Sequence, residues 1–268
     1  MRQLSRYLLA TALLAASTMA HAGAWTLKEG TNYSKVALNY FEATDTFGQS
    51  AEGFEEFTDF TINYYGEFGL TDKLTLITQV PLRQSENDTI DGSTQSTGIG
   101  DVDIGLRYNL LNDSWVVSTQ LLYKAPFLYD ENDDLPLGNG QSDLELRLQL
   151  GRSLHPYGYL GLEAGYRYRA EDPSDEWRFL AEYGFDLTEK FYLRTKVDVI
   201  LATQDTDVVV QNDGNPLFPS AFDLGRLELS AGYKFANNTG VEFTFTESLF
   251  GENILDGDTY QLGFVFSF

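Results

Sequence analysis

Y-Q-L-G-F-V-F-S-F, residues Tyr260–Phe268, is the stretch that decides the fold. Its side chains alternate with period two, which indicates a β-strand. The large apolar residues share one face, and the other face carries Gln261, Gly263 and Ser267, with Val265 as its one apolar residue. This pattern is typical of the last strand of an outer-membrane barrel, which pairs with the first strand and faces lipid. The alternative is the buried final strand of a soluble sandwich.

The first residues of the chain have the pattern of a secretory signal peptide. Arg2 and Arg6 precede a short apolar stretch, and Ala20–Ala22 (A-H-A) fits the small-x-small cleavage rule. We therefore expect a signal peptide over 1–22 and a mature outer-membrane barrel over 23–268. A membrane-anchor helix is the alternative, but the apolar stretch is shorter than a bilayer-spanning helix requires.

The composition excludes several classes of function. The chain has no cysteine, which excludes thiol catalysis and thiolate metal sites. Its net charge is −22, so nucleic acid is not an expected partner, because phosphate binding needs a basic surface. The mean hydropathy of −0.26 resembles that of a soluble protein. A barrel also averages to such a value, because its strands alternate between apolar and polar residues.

Beyond residue 23 the sequence alternates between strand-like runs and polar gaps. Most runs exceed the roughly five or six residues of strands in soluble proteins and reach the roughly nine to eleven that span a membrane. The sequence therefore predicts an all-β fold, a twelve-stranded antiparallel transmembrane β-barrel. Its strands are expected at 31–42, 54–69, 74–84, 99–110, 115–127, 142–152, 157–169, 176–186, 191–202, 222–235, 240–250 and 258–268.

Short and long gaps alternate, as do the short periplasmic turns and longer outer loops of bacterial barrels. The long connections are expected at 43–53, 85–98, 128–141, 170–175, 203–221 and 251–257. They are rich in Asp and Glu and contain no Lys or Arg, which predicts an acidic outer rim. Calcium binding by Asp130–Asp134 is an alternative use of this rim, although the spacing is not that of a defined calcium loop.

Most basic residues lie on the polar faces of the predicted strands, together with many acids. These faces line the lumen if the apolar faces meet lipid. The candidate lumen-lining residues are Asp101, Asp103, Arg107, Glu145, Arg147, Glu163, Arg167, Arg178, Glu182, Arg194, Lys196, Asp198, Arg226 and Glu228. Their charges either pair as structural cross-links that fill the interior or border a narrow aqueous path. Twelve strands lie between filled eight-stranded barrels and open sixteen-stranded ones, so both alternatives stay open.

We expect no catalytic residues, no metal site and no cofactor. Beyond the predicted signal peptide the one histidine is His155, in a predicted short turn. A histidine-dependent hydrolase needs that base beside its nucleophile or water. The sequence contains no phosphate loop, zinc-ligand spacing or nucleophile elbow. A barrel hydrolase stays an alternative, because glycosidase chemistry needs only two carboxylates.

Two stretches resemble a known family. Gly23–Gly30 (G-A-W-T-L-K-E-G) is similar to the mature start of a group of outer-membrane proteins, and Gly98–Tyr108 (G-I-G-D-V-D-I-G-L-R-Y) is similar to their G-x-G-D-x-x-x-G-x-R-Y strand. The group is the family named for the MetA pathway of phenol degradation, whose relatives include predicted outer-membrane transporters. The resemblance implies uptake of small compounds, aromatic or apolar ones among them. On this strand Asp101, Asp103 and Arg107 are the first candidates for lumen function.

These observations predict a barrel in the bacterial outer membrane that gives small molecules passage, as a channel or by facilitated uptake. Its expected partners are outer-membrane lipid, lipopolysaccharide, a small-molecule solute and the barrel-assembly machinery that reads the C-terminal strand. The first alternative is a structural or adhesive barrel with a closed lumen and acidic outer loops. The second is the barrel hydrolase.

Overall fold

The computed structural model describes residues 23–50, 52–171, 173–204, 209–210 and 214–268. The predicted signal peptide lies outside these ranges, so the boundary at residue 22 stays a prediction. The described chain forms fifteen strands: β1 (Asn32–Phe47), β2 (Gln49–Ser50), β3 (Phe54–Thr71), β4 (Leu74–Thr89), β5 (Gly92–Ile99), β6 (Val102–Asn112), β7 (Val116–Ala125), β8 (Asp143–Ser153), β9 (Tyr159–Arg169), β10 (Glu176–Asp186), β11 (Phe191–Ala202), β12 (Val209–Val210), β13 (Asp223–Lys234), β14 (Thr239–Glu252) and β15 (Ile254–Ser267). Among the described residues no helix has the length and apolarity to cross a membrane.

Twelve of these strands close into an antiparallel barrel, which confirms the predicted fold. Around the wall the order is β1, β3, β4, β6, β7, β8, β9, β10, β11, β13, β14 and β15. The last strand pairs with the first along its whole length, and the Asn32 backbone N–H donates to the Phe268 carbonyl oxygen at 2.8 Å. Closure pairs every edge of the barrel sheet, which a lipid-facing sheet requires because lipid offers no hydrogen bonds.

Side chains alternate between the two faces of the wall, as the sequence pattern predicts. On β15, Phe264 is 49% exposed on the outer face, whereas its neighbour Val265 is 3% exposed and faces inward. On β8, Leu144, Leu146 and Leu148 are exposed on the outer face. The outer face therefore carries an apolar surface that matches lipid, and the inner face encloses the polar residues.

Leu146 lies on the outer face near the middle of β8 and is 60% exposed. Replacing it with arginine places a charge against lipid. We expect this to lower the free energy of unfolding by about 2–4 kcal/mol. Leu146→Ala removes the same leucine without adding a charge and serves as the control. Reversible urea unfolding in lipid vesicles measures the difference, and equal stabilities for the two variants would contradict a lipid-facing position.

Three of the predicted outer loops, at 43–53, 85–98 and 251–257, are wrong, because the structure extends the strands through most of them. β1 reaches Phe47, β4 and β5 form a hairpin with its tip at Ile90–Asp91, and Asn253 alone separates β14 from β15. These segments consist mainly of polar residues and glycine, and their few apolar residues, such as Ile254 and Leu255, do not alternate with polar ones, so they lack the pattern that identified the membrane-spanning strands. They form strands because cross-strand pairing satisfies their backbone groups and because Thr and Ser tolerate extended structure.

β5 and β6 are two parts of one wall strand, and both pair with β4. They are separated at Gly100–Asp101. Gly98 and Gly100 also make room for the loop 126–142, which packs against the inside of the wall. A Cβ atom at Gly100 would lie 2.8 Å from the Leu137 carbonyl oxygen, and one at Gly98 would lie 2.9 Å from the Leu137 Cδ1. Any larger side chain would displace that loop.

Candidate functional site

Glu145 is the centre of the main charged cluster inside the barrel. Its side chain points inward from β8 and is 0% exposed. Arg147 donates from Nε to Glu145 Oε1 at 2.6 Å, and Arg167 from Nη2 to Oε2 at 2.8 Å. Arg178 approaches Oε2 to 3.7 Å, and Arg147 also pairs with Glu163 at 2.6 Å. One carboxylate therefore holds three guanidinium groups from three adjacent strands.

A second charged cluster lies on the other side of the lumen around Glu242 of β14. Lys35 and Arg194 contact Glu242 Oε1 at 2.7 and 2.8 Å, and the Tyr192 hydroxyl donates to Oε2 at 2.9 Å. Arg194 also approaches Glu182 to 3.8 Å. Because the side chains in this cluster come from β1, β10, β11 and β14, they tie together both sides of the seam at which the barrel closes.

Arg107 of β6 is the most deeply buried arginine of the predicted set, at 2% exposure. Its Nη1 contacts both carboxylate oxygens of Glu67 at 3.1 Å. It also donates to the Gln149 side chain and to the backbone oxygen of Trp25, at 3.2 and 3.0 Å. Arg107 therefore joins two parts of the wall to the segment that precedes β1.

The remaining predicted residues form local pairs on neighbouring strands. Lys196 contacts Glu228 at 2.5 Å, and Arg226 contacts Asp198 at 2.5 Å. Asp101 accepts from Lys124 at 3.1 Å. Among the described residues, every member of the predicted set except Asp103 has an ion-pair partner in the barrel. Whether these residues serve a solute path stays a prediction.

Sequence reasoning missed several acids and bases that the structure brings into the same clusters. Glu242, Glu67, Glu176, Asp59 and Lys35 all face inward and pair with predicted or neighbouring residues. The sequence signal that could have identified these residues is their position on the polar face of a predicted strand. Sequence alone did not show which inward residues on distant strands would meet across the lumen.

The segment Gly23–Thr31, which precedes β1, enters the short-turn end of the barrel with its first residues, whereas Lys28–Thr31 are exposed. Ala24 is 1% exposed, and its carbonyl oxygen accepts a hydrogen bond from the Ser118 hydroxyl. The Leu27 backbone N–H donates to the Thr75 Oγ1 at 2.9 Å. The Trp25 ring packs edge-on against Tyr159 with ring centroids 6.0 Å apart. We call this segment the N-terminal plug, because it fills the lumen at that end.

Two loops fold over the opposite, long-loop end. Asn139 of loop 126–142 donates to the Phe218 carbonyl oxygen at 2.8 Å, and Asn215 donates to the Pro136 carbonyl oxygen at 2.9 Å. Tyr129 donates to Asp101 Oδ1 at 2.5 Å. Burial and this hydrogen bond raise the pKa of the Tyr129 hydroxyl well above its usual range, so it stays a donor at neutral pH. In this conformation the loops are therefore held to each other and to the wall by side-chain hydrogen bonds.

Beneath these loops lies a cavity of about 430 Å³ whose lining includes residues from all twelve barrel strands, and we call it the vestibule. One side is mainly apolar and comes from β11, β13, β15, β1 and the loop before β13: Phe41, Ile200, Leu217, Phe218, Phe222, Leu224, Ile254 and Leu255. The other side is charged and comes mainly from β3 to β10: Asp59, Arg83, Asp101, Asp103, Lys124, Asp143, Arg167, Arg169, Glu176 and Arg178. The vestibule therefore offers an apolar surface opposite a polar one.

A second cavity of about 240 Å³ lies at the short-turn end, between Trp25 of the N-terminal plug and Tyr159. It shares no lining residue with the vestibule. The buried residues Arg107, Glu67 and Gln149 and the N-terminal plug lie between the two cavities. In this conformation the lumen is thus divided into two chambers by charged side chains and by the plug.

Among the described residues, no group of three or more His, Asp or Glu side chains is arranged to hold a metal ion, and this includes Asp130–Asp134. His155 lies in the turn between β8 and β9 and lines the smaller cavity. The pKa of the exposed Asp130 carboxyl is lowered by hydrogen bonds from the backbone and side chain of Asn132, and this pairing is local to the loop.

The closed barrel, its apolar outer face and its polar interior define the protein as a bacterial outer-membrane β-barrel. The short turns and both ends of the barrel chain lie at one end, which is the periplasmic one in such barrels, and the long loops face outward.

Comparison with solved structures gives the same class. The chain is similar to an outer membrane channel from Pseudomonas putida F1, with a TM-score of 0.71 at 15% identity over 94% of this chain and 100% of the channel. It is also similar to the translocator domain of the autotransporter NalP from Neisseria meningitidis (TM-score 0.56, 12% identity, 99% of this chain and 95% of that chain) and to the NanC porin (TM-score 0.52, 12% identity, 87% and 98%). At these identities the likeness concerns the fold. No family model and no curated protein matches the chain, so the resemblance to the phenol-degradation family stays a prediction.

Proposed function

We propose that the protein is an outer-membrane channel that admits small molecules, including aromatic or apolar ones that carry a polar group. The vestibule is the observation that carries this proposal. Its volume of about 430 Å³ lies within the range of roughly 300–1,000 Å³ that is usual for small-molecule sites. Its lining combines the aromatic side chains Phe41, Phe218 and Phe222 with charged side chains, and Phe218 lies against Arg83 at 5.0 Å, which suits a solute with both characters.

The division of the lumen into two chambers means that passage requires movement. The parts that can move are the N-terminal plug and the two outer loops, because they are not paired into the barrel sheet. The wall strands themselves are held by continuous backbone hydrogen bonds and by the ion pairs of the Glu145 and Glu242 clusters. In the proposed channel the barrel wall therefore stays in place, and the N-terminal plug and the two outer loops move.

The second candidate function is a structural or adhesive barrel with a permanently closed lumen. This candidate is favoured by the buried ion pairs inside the barrel and by the N-terminal plug, which together close the lumen in this conformation. The two candidates differ in one measurable property, which is the passage of ions through the protein.

Planar-bilayer recording of the purified, folded protein tests the proposal. We expect discrete conductance steps in potassium chloride, and we expect a neutral aromatic solute such as benzyl alcohol to reduce the current from the outer side. Phe218→Ala removes an aromatic side chain from the vestibule and should weaken this block, whereas Phe243→Ala, on the lipid face, should not. A barrel that stays electrically silent at all potentials would overturn the channel and favour the closed alternative.

A further inference from the structure

Asp103 is an exception among the charged residues of the vestibule. The six basic side chains that line this cavity are Arg83, Lys124, Arg167, Arg169, Arg178 and Arg226. Each of them contacts an acid other than Asp103 within 4.0 Å. Within the described ranges Asp103 has no ion-pair partner. The vestibule therefore contains one carboxylate whose charge is not matched by a direct contact.

The Oδ1 atom of Asp103 is also buried without a hydrogen-bond donor from the described protein. The same is true of Asn63 Oδ1, which lines the same cavity on β3. Both atoms are acceptors on the charged side of the vestibule. A buried acceptor without a donor is costly, and for a carboxylate the cost is larger than for a neutral group. A ligand that brings N–H donors and a positive charge would satisfy both needs.

Arg167 and Arg178 act on Asp103 electrostatically, but this does not replace a partner. Both guanidinium groups are already shared with Glu145, and Arg178 is also paired with Glu176. Both guanidinium groups therefore make their direct contacts with other acids and not with Asp103. A cationic N–H donor such as an ammonium would form a charge-assisted hydrogen bond with this carboxylate.

The rest of the vestibule and its approach favour the same ligand. Phe41 and Phe222 lie on the mainly apolar side of the vestibule, where they would contact an apolar body or the face of a cation, whereas the Phe218 ring already faces the Arg83 guanidinium at 5.0 Å. The loops 126–142 and 170–175 above the vestibule carry acids and no lysine or arginine. Such a rim raises the local concentration of cations and lowers that of anions.

We propose that the vestibule binds small organic cations, namely primary amines with an aromatic or apolar body, and that Asp103 is the charge partner of their ammonium group. The inference rests on the proposed function in that it assigns a solute class to the same cavity. It needs only binding, however, so it can be tested without any transport measurement.

Calorimetric titration of the intact, detergent-solubilised protein with three probes of one shape tests the inference. Phenethylamine, phenethyl alcohol and phenylacetate share a ring and linker and differ in charge. We expect the amine to bind about tenfold or more tightly than the alcohol, the factor that a hydrogen bond to a charged group contributes, and the anion to bind most weakly. Equal affinities for the amine and the alcohol would overturn the proposal.

Asp103→Asn keeps the shape of the side chain and removes its charge. This variant should lose about tenfold or more of the affinity for phenethylamine and keep its affinity for phenethyl alcohol. Asp113→Asn removes the same charge from the exposed short turn between β6 and β7, far from the vestibule lining, and should bind like the unaltered protein. Undiminished amine binding by Asp103→Asn would overturn the assignment.

Asn63→Asp gives a further measurement that does not depend on the folding of the first variant. It places a second carboxylate on the same side of the vestibule and should raise the affinity for the amine, and an unchanged or lower affinity would count against the inference. Heat-dependent gel migration checks that each variant is a folded barrel. Binding of the amine by a protein that carries no current would overturn the channel but support this site, so the two proposals fail separately.

Discussion

Removing residues 24–29 from the exported chain should raise the single-channel conductance severalfold. These residues form most of the N-terminal plug, and Ala24 and Leu27 are buried inside the periplasmic end of the lumen. They hold no place in the barrel sheet, so the wall keeps its pairing when they are absent. Their removal joins the smaller cavity to the space around Arg107. Planar-bilayer recording of the folded variant in potassium chloride measures the change.

An engineered disulfide that holds the plug in place, and that a reductant can break, provides the matched control. The chain contains no cysteine, so a pair introduced at Leu27 and Thr75 has no competing thiol. The Leu27 backbone nitrogen lies 2.9 Å from the Thr75 Oγ1, which brings the two side-chain positions close enough to test a disulfide. The oxidised protein should show the lowest conductance, and a reductant should restore that of the unaltered protein. If the deletion leaves the conductance of a folded barrel unchanged, the buried charged side chains inside the barrel limit passage, and the plug does not.

Glu145→Gln should lower the free energy of unfolding by about 3–5 kcal/mol, the usual cost of removing one partner from a buried ion pair. Glu145 is fully buried and contacts Arg147, Arg167 and Arg178. Its neutralisation leaves these guanidinium groups with fewer acids in an enclosed interior. Urea unfolding of the protein in lipid vesicles, followed by tryptophan fluorescence, measures the loss.

Glu163→Gln is the control for this prediction. Glu163 faces the same lumen from the next strand, and within the described part of the chain its one ion-pair partner is Arg147, which keeps Glu145 as a second partner. We expect this variant to lose clearly less stability than Glu145→Gln. Equal losses would mean that the cost follows from removing any inward carboxylate and not from the sharing of Glu145 by three arginines.

The barrel wall could be predicted from the sequence because each wall side chain faces one of only two environments, the lipid or the polar interior. A side chain such as Leu146 meets lipid and its neighbour Glu145 meets the interior, so hydropathy with period two identifies strands and faces together. The same rule failed at 43–53, 85–98 and 251–257. There most side chains are polar on either face of the strand, and polar strands cannot be distinguished from polar loops by hydropathy.

The N-terminal plug and the ion pairs inside the barrel could not be predicted from this alternation. The burial of Ala24 and Leu27 follows from which segment fits the lumen, and nothing periodic in Gly23–Thr31 reports it. Likewise, the inward position of Glu242 could be predicted, but its contacts with Lys35 and Arg194 depend on the curvature that brings β1, β11 and β14 within reach. Asp103 was predicted to face inward, whereas its lack of a partner emerged only when all its neighbours were placed.

The position of the N-terminal plug has a consequence for biogenesis. Gly23–Leu27 come first in the described chain, yet Ala24 and Leu27 are buried within a tube that is sealed only when β15 meets β1. The nascent wall therefore either curls around them or admits them afterwards through the periplasmic mouth. A bulky fusion placed immediately before Gly23 would obstruct both routes, whereas an epitope inserted at the Ile90–Asp91 hairpin tip would be displayed on the cell surface without entering the tube.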